Sequence, residues 1–230
     1  MIERILVLGA TGDTGKLVVE AARHRGLKVN AAARDPGDIE TTDAEVRPVA
    51  VDVMEPRGLP EALNGVDAVI STLGVGNDPA TLASPPPLYT DGHMNVVNAM
   101  EDAGLDRLIC VSALWSRGND YGPLWFRAGP VMALTRVYSQ MRAMERQLGA
   151  HPKLRFTAVR AGYLQDDAID SPPPEPHADR APEGCWLTRR ADLAEFLVTC
   201  AVEETWIRKC PCFAQKDDGK VLARKTPSVA

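Results

Sequence analysis

Few cysteines, few aromatic residues and no surplus of positive charge mark this 230-residue chain at first sight. Its five cysteines are an odd number spread along the chain, which argues against a disulfide framework and for reduced thiols. Cys210-Pro211-Cys212 lacks the spacing of a metal-ligand pair and has no second pair nearby, so no metal site is expected. The formal net charge of −5 and the scattered basic residues exclude a general attraction for nucleic acid or anionic membrane. No apolar run nears the roughly 18 residues of a membrane span, and the chain enters a strand pattern without a signal-peptide arrangement. The expectation is a cytoplasmic protein, a monomer or small homo-oligomer, acting on a small-molecule substrate.

What is present is a regular alternation. Short β-branched runs at Ile5 to Leu8, Val29 to Ala33, Val46 to Val51, Ala68 to Ser71, Leu108 to Val111 and Thr157 to Val159 read as buried strands. Amphipathic stretches separate most of them, such as Thr14 to Arg25 and Tyr89 to Ala103. Alternating βα units predict a single α/β domain: a doubly wound Rossmann-type, mostly parallel sheet with helices on both faces, over residues 1–214. Two proline-rich segments, Gly74 to Pro87 and Leu164 to Gly184, read as long loops, either closing over a substrate or decorating the surface. Residues 215–230 are polar and aperiodic and read as a flexible tail.

Between the first strand and first helix stands Leu8 to Lys16, "LGATGDTGK". Gly9 permits a tight turn, Gly12 lets a pyrophosphate lie on the backbone, and Gly15 lets the helix pack on the strand. Thr11 and Thr14 add hydroxyl donors, Asp13 stands with them as a cofactor-binding candidate, and the first helical amides face the phosphates. The second strand ends at Arg34, whose guanidinium suits a 2′-phosphate, although Asp35 beside it suits a free 2′-hydroxyl. NADP(H) is therefore expected ahead of NAD(H). Asp52 and Val53 after the third strand are candidates for the adenine end, and Leu73 and Gly74 after the fourth for the cofactor's path; each also serves as a turn residue.

Several segments resemble the atypical short-chain dehydrogenases: "GATGDTG", "AARD" at Ala32 to Asp35, "VDVM" at Val51 to Met54, "DAVISTLGVGND" at Asp67 to Asp78, "NVVNAMEDAGLDRLICVSA" at Asn95 to Ala113 and "LTRRADLAEFLV" at Leu187 to Val198. The resemblance is to the biliverdin-IX beta reductase/flavin reductase type, with the NmrA-like proteins as a wider circle. It implies NADPH-dependent hydride transfer to a flat conjugated acceptor such as a flavin, bilin or quinone, with Ser112 beside the nicotinamide. Where the bilin reductases carry histidine after the sixth strand, this chain carries Tyr163. The ordinary tyrosine-lysine acid pair is missing: Tyr138 is followed at i+4 by Arg142, which cannot relay a proton. Tyr138 is thus either the acid or a plain helix tyrosine. Trp115 and Trp125 lie near Ser112, either stacking on a substrate or packing, and His93 starts its helix within reach of the pocket. The other readings are an NmrA-like redox sensor without turnover and a sugar-nucleotide epimerase.

Overall fold

The computed structural model describes residues 2–76, 78–118, 120–166 and 172–217. In chain order the elements are β1 (Arg4–Leu8), α1 (Asp13–His24), β2 (Lys28–Ala33), β3 (Val46–Ala50), α2 (Leu59–Leu63), β4 (Ala68–Ser71), α3 (Pro79–Ala83), α4 (His93–Asp102), β5 (Arg107–Ala113), the single turn α5 (Leu124–Phe126), α6 (Thr135–Ala150), β6 (Arg155–Ala161), β7 (Tyr163–Gln165), β8 (Cys185–Arg189), α7 (Arg190–Val202), β9 (Cys212–Phe213) and β10 (Gln215–Lys216). Seven strands form one sheet in the order β3-β2-β1-β4-β5-β6-β9, every pairing parallel.

Strand alternation sends successive side chains to opposite faces. Leu6, Leu8, Val69, Leu108 and Cys110 pack with Leu59 of α2, Val96, Val97 and Met100 of α4 and Met141, Met144 and Leu148 of α6. Ile5, Val7, Ile70, Ile109 and Val159 pack with Val18 and Ala22 of α1 and Leu193, Leu197 and Val198 of α7. Each such fully buried side chain contributes roughly 1.5–3 kcal/mol of transfer free energy, which holds both helical layers on the sheet. The result is the doubly wound single-domain α/β architecture expected from the alternation.

The structure adds order where loops were expected. Within Gly74 to Pro87, Asp78 caps α3 by accepting from the Thr81 amide at 2.9 Å, and Pro79 occupies the first helical position, where its missing N–H costs nothing. Leu164 and Gln165 belong to β7, which pairs with β8 in a second sheet ordered β10-β8-β7. Gln215 and Lys216 form β10 on the other side of β8, so ordered chain runs past the expected boundary at residue 214. The remainder of that tail, 218–230, and residues 167–171 of the second loop lie outside the described residues.

Candidate active site

Strand order reverses between β1 and β4, which is where a doubly wound sheet places its ligand crevice, beyond Leu8 and Ser71. The glycine turn follows Leu8 there. Gly9 has φ +80°, open to glycine and strained for other residues. Gly15 is buried, and a Cβ there would sit 2.0 Å from the Gly9 carbonyl oxygen, so only glycine lets α1 seat against the turn. Gly12 differs from both. It is exposed, has an ordinary extended conformation (φ −74°, ψ 160°), and a Cβ on it would meet only the Gly9 oxygen, at 3.4 Å. It is also the N-cap of α1, a position that favours Ser, Thr, Asp or Asn, yet no side chain caps the first amides of the helix. Nothing among the described residues requires glycine at 12. Thr11 and Thr14 are half-buried beside it, and Asp13 is exposed in the first turn.

Thr72, absent from the expected set, braces this turn. Its backbone amide donates to the Leu8 carbonyl at 2.9 Å, and its hydroxyl lies 3.0 Å from that oxygen and 3.3 Å from that of Gly9. Leu73 is half-buried and Gly74 exposed just beyond. At the end of β2, Arg34 and Asp35 are both exposed, but they are not equivalent. Asp35 Oδ1 accepts from the Gly37 amide at 2.8 Å and caps the turn that follows. Arg34 has no hydrogen-bond or ion-pair partner among the described residues. After β3, Asp52 Oδ1 accepts from the Met54 amide at 2.9 Å, and the Val53 carbonyl accepts from Asn95 Nδ2 at 2.8 Å. Asp52 therefore serves the turn, and Val53 is buried.

The other end of the crevice departs from expectation. Ser112 is 1% exposed, and its hydroxyl donates to Glu145 Oε1 at 2.7 Å. Alternation along β5 points it toward α6, on the face of Leu108 and Cys110. Ser116 donates to the same oxygen at 3.0 Å, and Arg160 clasps the carboxylate with Nε and a terminal nitrogen at 3.0 and 2.7 Å. Burial alone would lower the Arg160 pKa, but the hydrogen bonds and charge of Glu145 hold it above the usual arginine value. Ser112 is thus part of a buried charge network. His93 is also in the core, 1% exposed: its Nδ1 meets the Leu88 carbonyl at 3.1 Å and its Nε2 the Ser71 hydroxyl at 3.0 Å. A carbonyl only accepts, so Nδ1 carries the proton and Nε2 accepts from Ser71. Burial pushes this imidazole down to about 4, so it is neutral and does not reach the crevice as a titrating group.

Tyr138 and Arg142 do not form an acid pair. Arg142 Nε donates to the Ser116 carbonyl, while Tyr138 is buried, its ring 5.6 Å from that of Trp115. Burial, reinforced by the phenols of Tyr89 and Tyr163, raises the Tyr138 pKa. Burial likewise pushes Tyr89 up to about 12, against a smaller opposing effect of the Val75 amide. Tyr89, missed in the sequence, thus brings its hydroxyl to the loop after β4, 3.9 Å from where a Gly74 Cβ would stand. The scarce aromatics gather here. Phe126 contacts Trp115, Trp125, Tyr163 and Trp186, and Tyr163 stacks on Trp186 at 6.3 Å. Trp115 is interior packing, 5% exposed, with Nε1 donating to the Tyr121 carbonyl at 3.2 Å. Tyr163 is half-buried and Trp125 is 44% exposed, so these two present ring surface outward.

Comparison with known proteins gives the family and the fold. The model of a family described as NAD(P)H-binding matches residues 9–204. An uncharacterized chloroplastic protein of Arabidopsis thaliana is 28% identical over 173 residues, covering 72% of this chain and 60% of its own length. An anaerobillin reductase from Escherichia coli O157:H7 superimposes with a TM-score of 0.70 at 20% identity, over 94% of this chain and 98% of that one. A short-chain dehydrogenase/reductase from Veillonella parvula in complex with NADP does so with a TM-score of 0.70 at 17% identity, over 95% and 96%. At such identities the two structures share the fold.

Proposed function

The chain belongs to the NAD(P)H-binding family, and on that premise we propose that it is an NADPH-dependent reductase of a small, flat, conjugated acceptor such as a flavin, bilin or quinone. The observation that carries the cofactor assignment is Gly12. A position free to accept a side chain, at an uncapped helix N-terminus, is glycine because a phosphate group must approach its backbone. The amides of α1 and the hydroxyls of Thr11 and Thr14 fit a pyrophosphate there. Arg34, without a side-chain partner among the described residues while Asp35 is held by its own turn, favours a 2′-phosphate over a 2′-hydroxyl. When bound, the nicotinamide supplies a hydride to the acceptor.

The chain's own residues orient that acceptor. Tyr163 and Trp125 offer aromatic surface, and Tyr138 and Tyr89 offer phenols whose raised pKa keeps them protonated hydrogen-bond donors near neutral pH. Ser112 acts indirectly, fixing the end of β5 through Glu145. The proton that accompanies the hydride comes from water, since among the described residues Ser112 is tied to Glu145 and His93 is held in the core, and neither is placed as an acid at this end. The same deficit favours a second reading, an NmrA-like redox sensor that binds the dinucleotide without turning it over.

Steady-state oxidation of NADPH against flavin, bilin and quinone acceptors separates the two: turnover with one of them is expected, and tight NADPH binding without turnover across that panel establishes the sensor. In Arg34→Ala, NADPH affinity is expected to fall about tenfold while NADH affinity is unchanged. An unchanged NADPH-to-NADH preference overturns the assignment of Arg34.

A further inference from the structure

Behind the buried carboxylate of Glu145 lies a cavity of about 530 Å³ lined by Arg117, Arg142, Glu145, Arg146, Arg160 and Cys210. Four guanidiniums therefore face one carboxylate, and only the Arg160 charge is neutralised, in the pair with Glu145 at 2.7 Å. Cys210 does not offset the rest, because burial, with the nearby Glu145 charge adding to it, pushes its thiol up to about 11. Arg117 and Arg146 are exposed and their side chains make no hydrogen bond or ion pair among the described residues, while Arg142 is anchored through Nε to the Ser116 carbonyl. Arg142 and Arg146 stand one turn apart on α6, a like-charge arrangement that weakens a helix unless something else relieves it.

The convergence also has a definite construction. Arg142 and Arg146 come from α6, Arg117 from the turn after β5, and Arg160 from β6, with Cys210 closing the cavity just before β9. The floor is rigid: Arg160 and Glu145 are almost wholly buried and joined by two hydrogen bonds, and Ser112 and Ser116 also donate to Glu145 Oε1. A planar carboxylate is satisfied by one guanidinium fork, whereas a tetrahedral phosphate presents oxygens in several directions at once. The volume is of the size that takes a small organic ligand and not only an ion.

We propose that this cavity is a binding site for a phosphate-bearing small molecule, built from residues other than the glycine turn at the nucleotide end, with Arg117, Arg142 and Arg146 holding the phosphate over the Arg160–Glu145 floor. Isothermal titration of the full chain with NADPH at saturation tests it, using glycerol phosphate, pyrophosphate, inorganic phosphate and citrate as probes. Saturable binding of a phosphate probe is expected, weakened about tenfold or more in the double variant Arg117→Ala/Arg146→Ala. Because both arginines are exposed, that variant is expected to keep its thermal midpoint and its NADPH affinity. Tighter binding of glycerol phosphate than of inorganic phosphate identifies an ester as the ligand; equal binding identifies the free ion. The proposal is overturned if no phosphate probe saturates the wild-type chain, if the double variant binds as tightly, or if citrate binds and the phosphates do not.

Discussion

The two ends of the crevice are built in different ways. At the nucleotide end the structure is made by backbone: the four residues Gly9 to Gly12 turn between β1 and α1, and one hydroxyl, that of Thr72, ties the turn to the neighbouring strand. At the acceptor end it is made by side chains far apart in sequence, such as Ser112 and Ser116 on Glu145, Glu145 on Arg160, and Tyr163 on Trp186. A site written in backbone constrains residue type locally and admits one kind of ligand. A site written in side chains is fixed by packing and can change its ligand without changing the fold.

That difference is open to attack, beginning with the largest effect. Glu145→Ala leaves the Arg160 charge buried without its partner and two serine hydroxyls without an acceptor. Urea unfolding is expected to register a loss of about 3–5 kcal/mol, and a loss below about 1 kcal/mol would mean the network contributes little. Next comes His93. Its folded pKa of about 4 lies below the ordinary 6.5, so the unfolded chain binds this proton first. The stability is present above about pH 6.5 and is lost as pH falls toward 4, by about 3 kcal/mol in total. Unfolding measured at pH 7 and pH 4 on the wild type and on His93→Gln isolates that share, and equal slopes in the two proteins refute it.

Gly15→Ala tests the backbone-built end. The added Cβ collides with the Gly9 carbonyl at 2.0 Å, so thermal unfolding is expected to show a loss of about 1–3 kcal/mol together with lost NADPH binding. An unshifted midpoint would mean that α1 is not seated as described. Thr72→Val, similar in shape, removes only the hydroxyl that braces the turn. About 1 kcal/mol of stability is expected to go with it, with NADPH binding weakened less than in Gly15→Ala; chemical denaturation and a fluorescence titration of NADPH read both.

The same contrast explains what could be read in advance. β1 to β6 are legible because each carries a short apolar, mostly β-branched stretch bounded by turn residues, even where Asn30 interrupts β2 and Arg47 and Pro48 interrupt β3, and α1 because its apolar face, terminal cations and Gly26 agree. β7, β8, β9 and β10 were not, since they are two to five residues long and exist through pairings such as Tyr163 with Leu187 and Leu187 with Gln215. α3 was hidden by its prolines, although Asp78-Pro79 is a cap followed by a permitted first position. Arg34 and the glycines were legible as a motif. Ser112 was recognised at its place on β5, but its direction depends on Glu145, 33 residues away, and the pairing of Tyr138 with Trp115, not with Arg142, is likewise a matter of packing. Thr72 and Tyr89 carried no signal beyond their place near β4 and the loop that follows it.

Gly12→Ser gives the most direct measurement. Serine is a better N-cap than glycine in the extended conformation of this position, and its side chain has room inside the protein. Cofactor contact at Gly12 therefore requires that thermal stability stay the same or rise while NADPH affinity falls about tenfold or more. NADPH affinity equal to that of the wild type, in an equally stable protein, would contradict it.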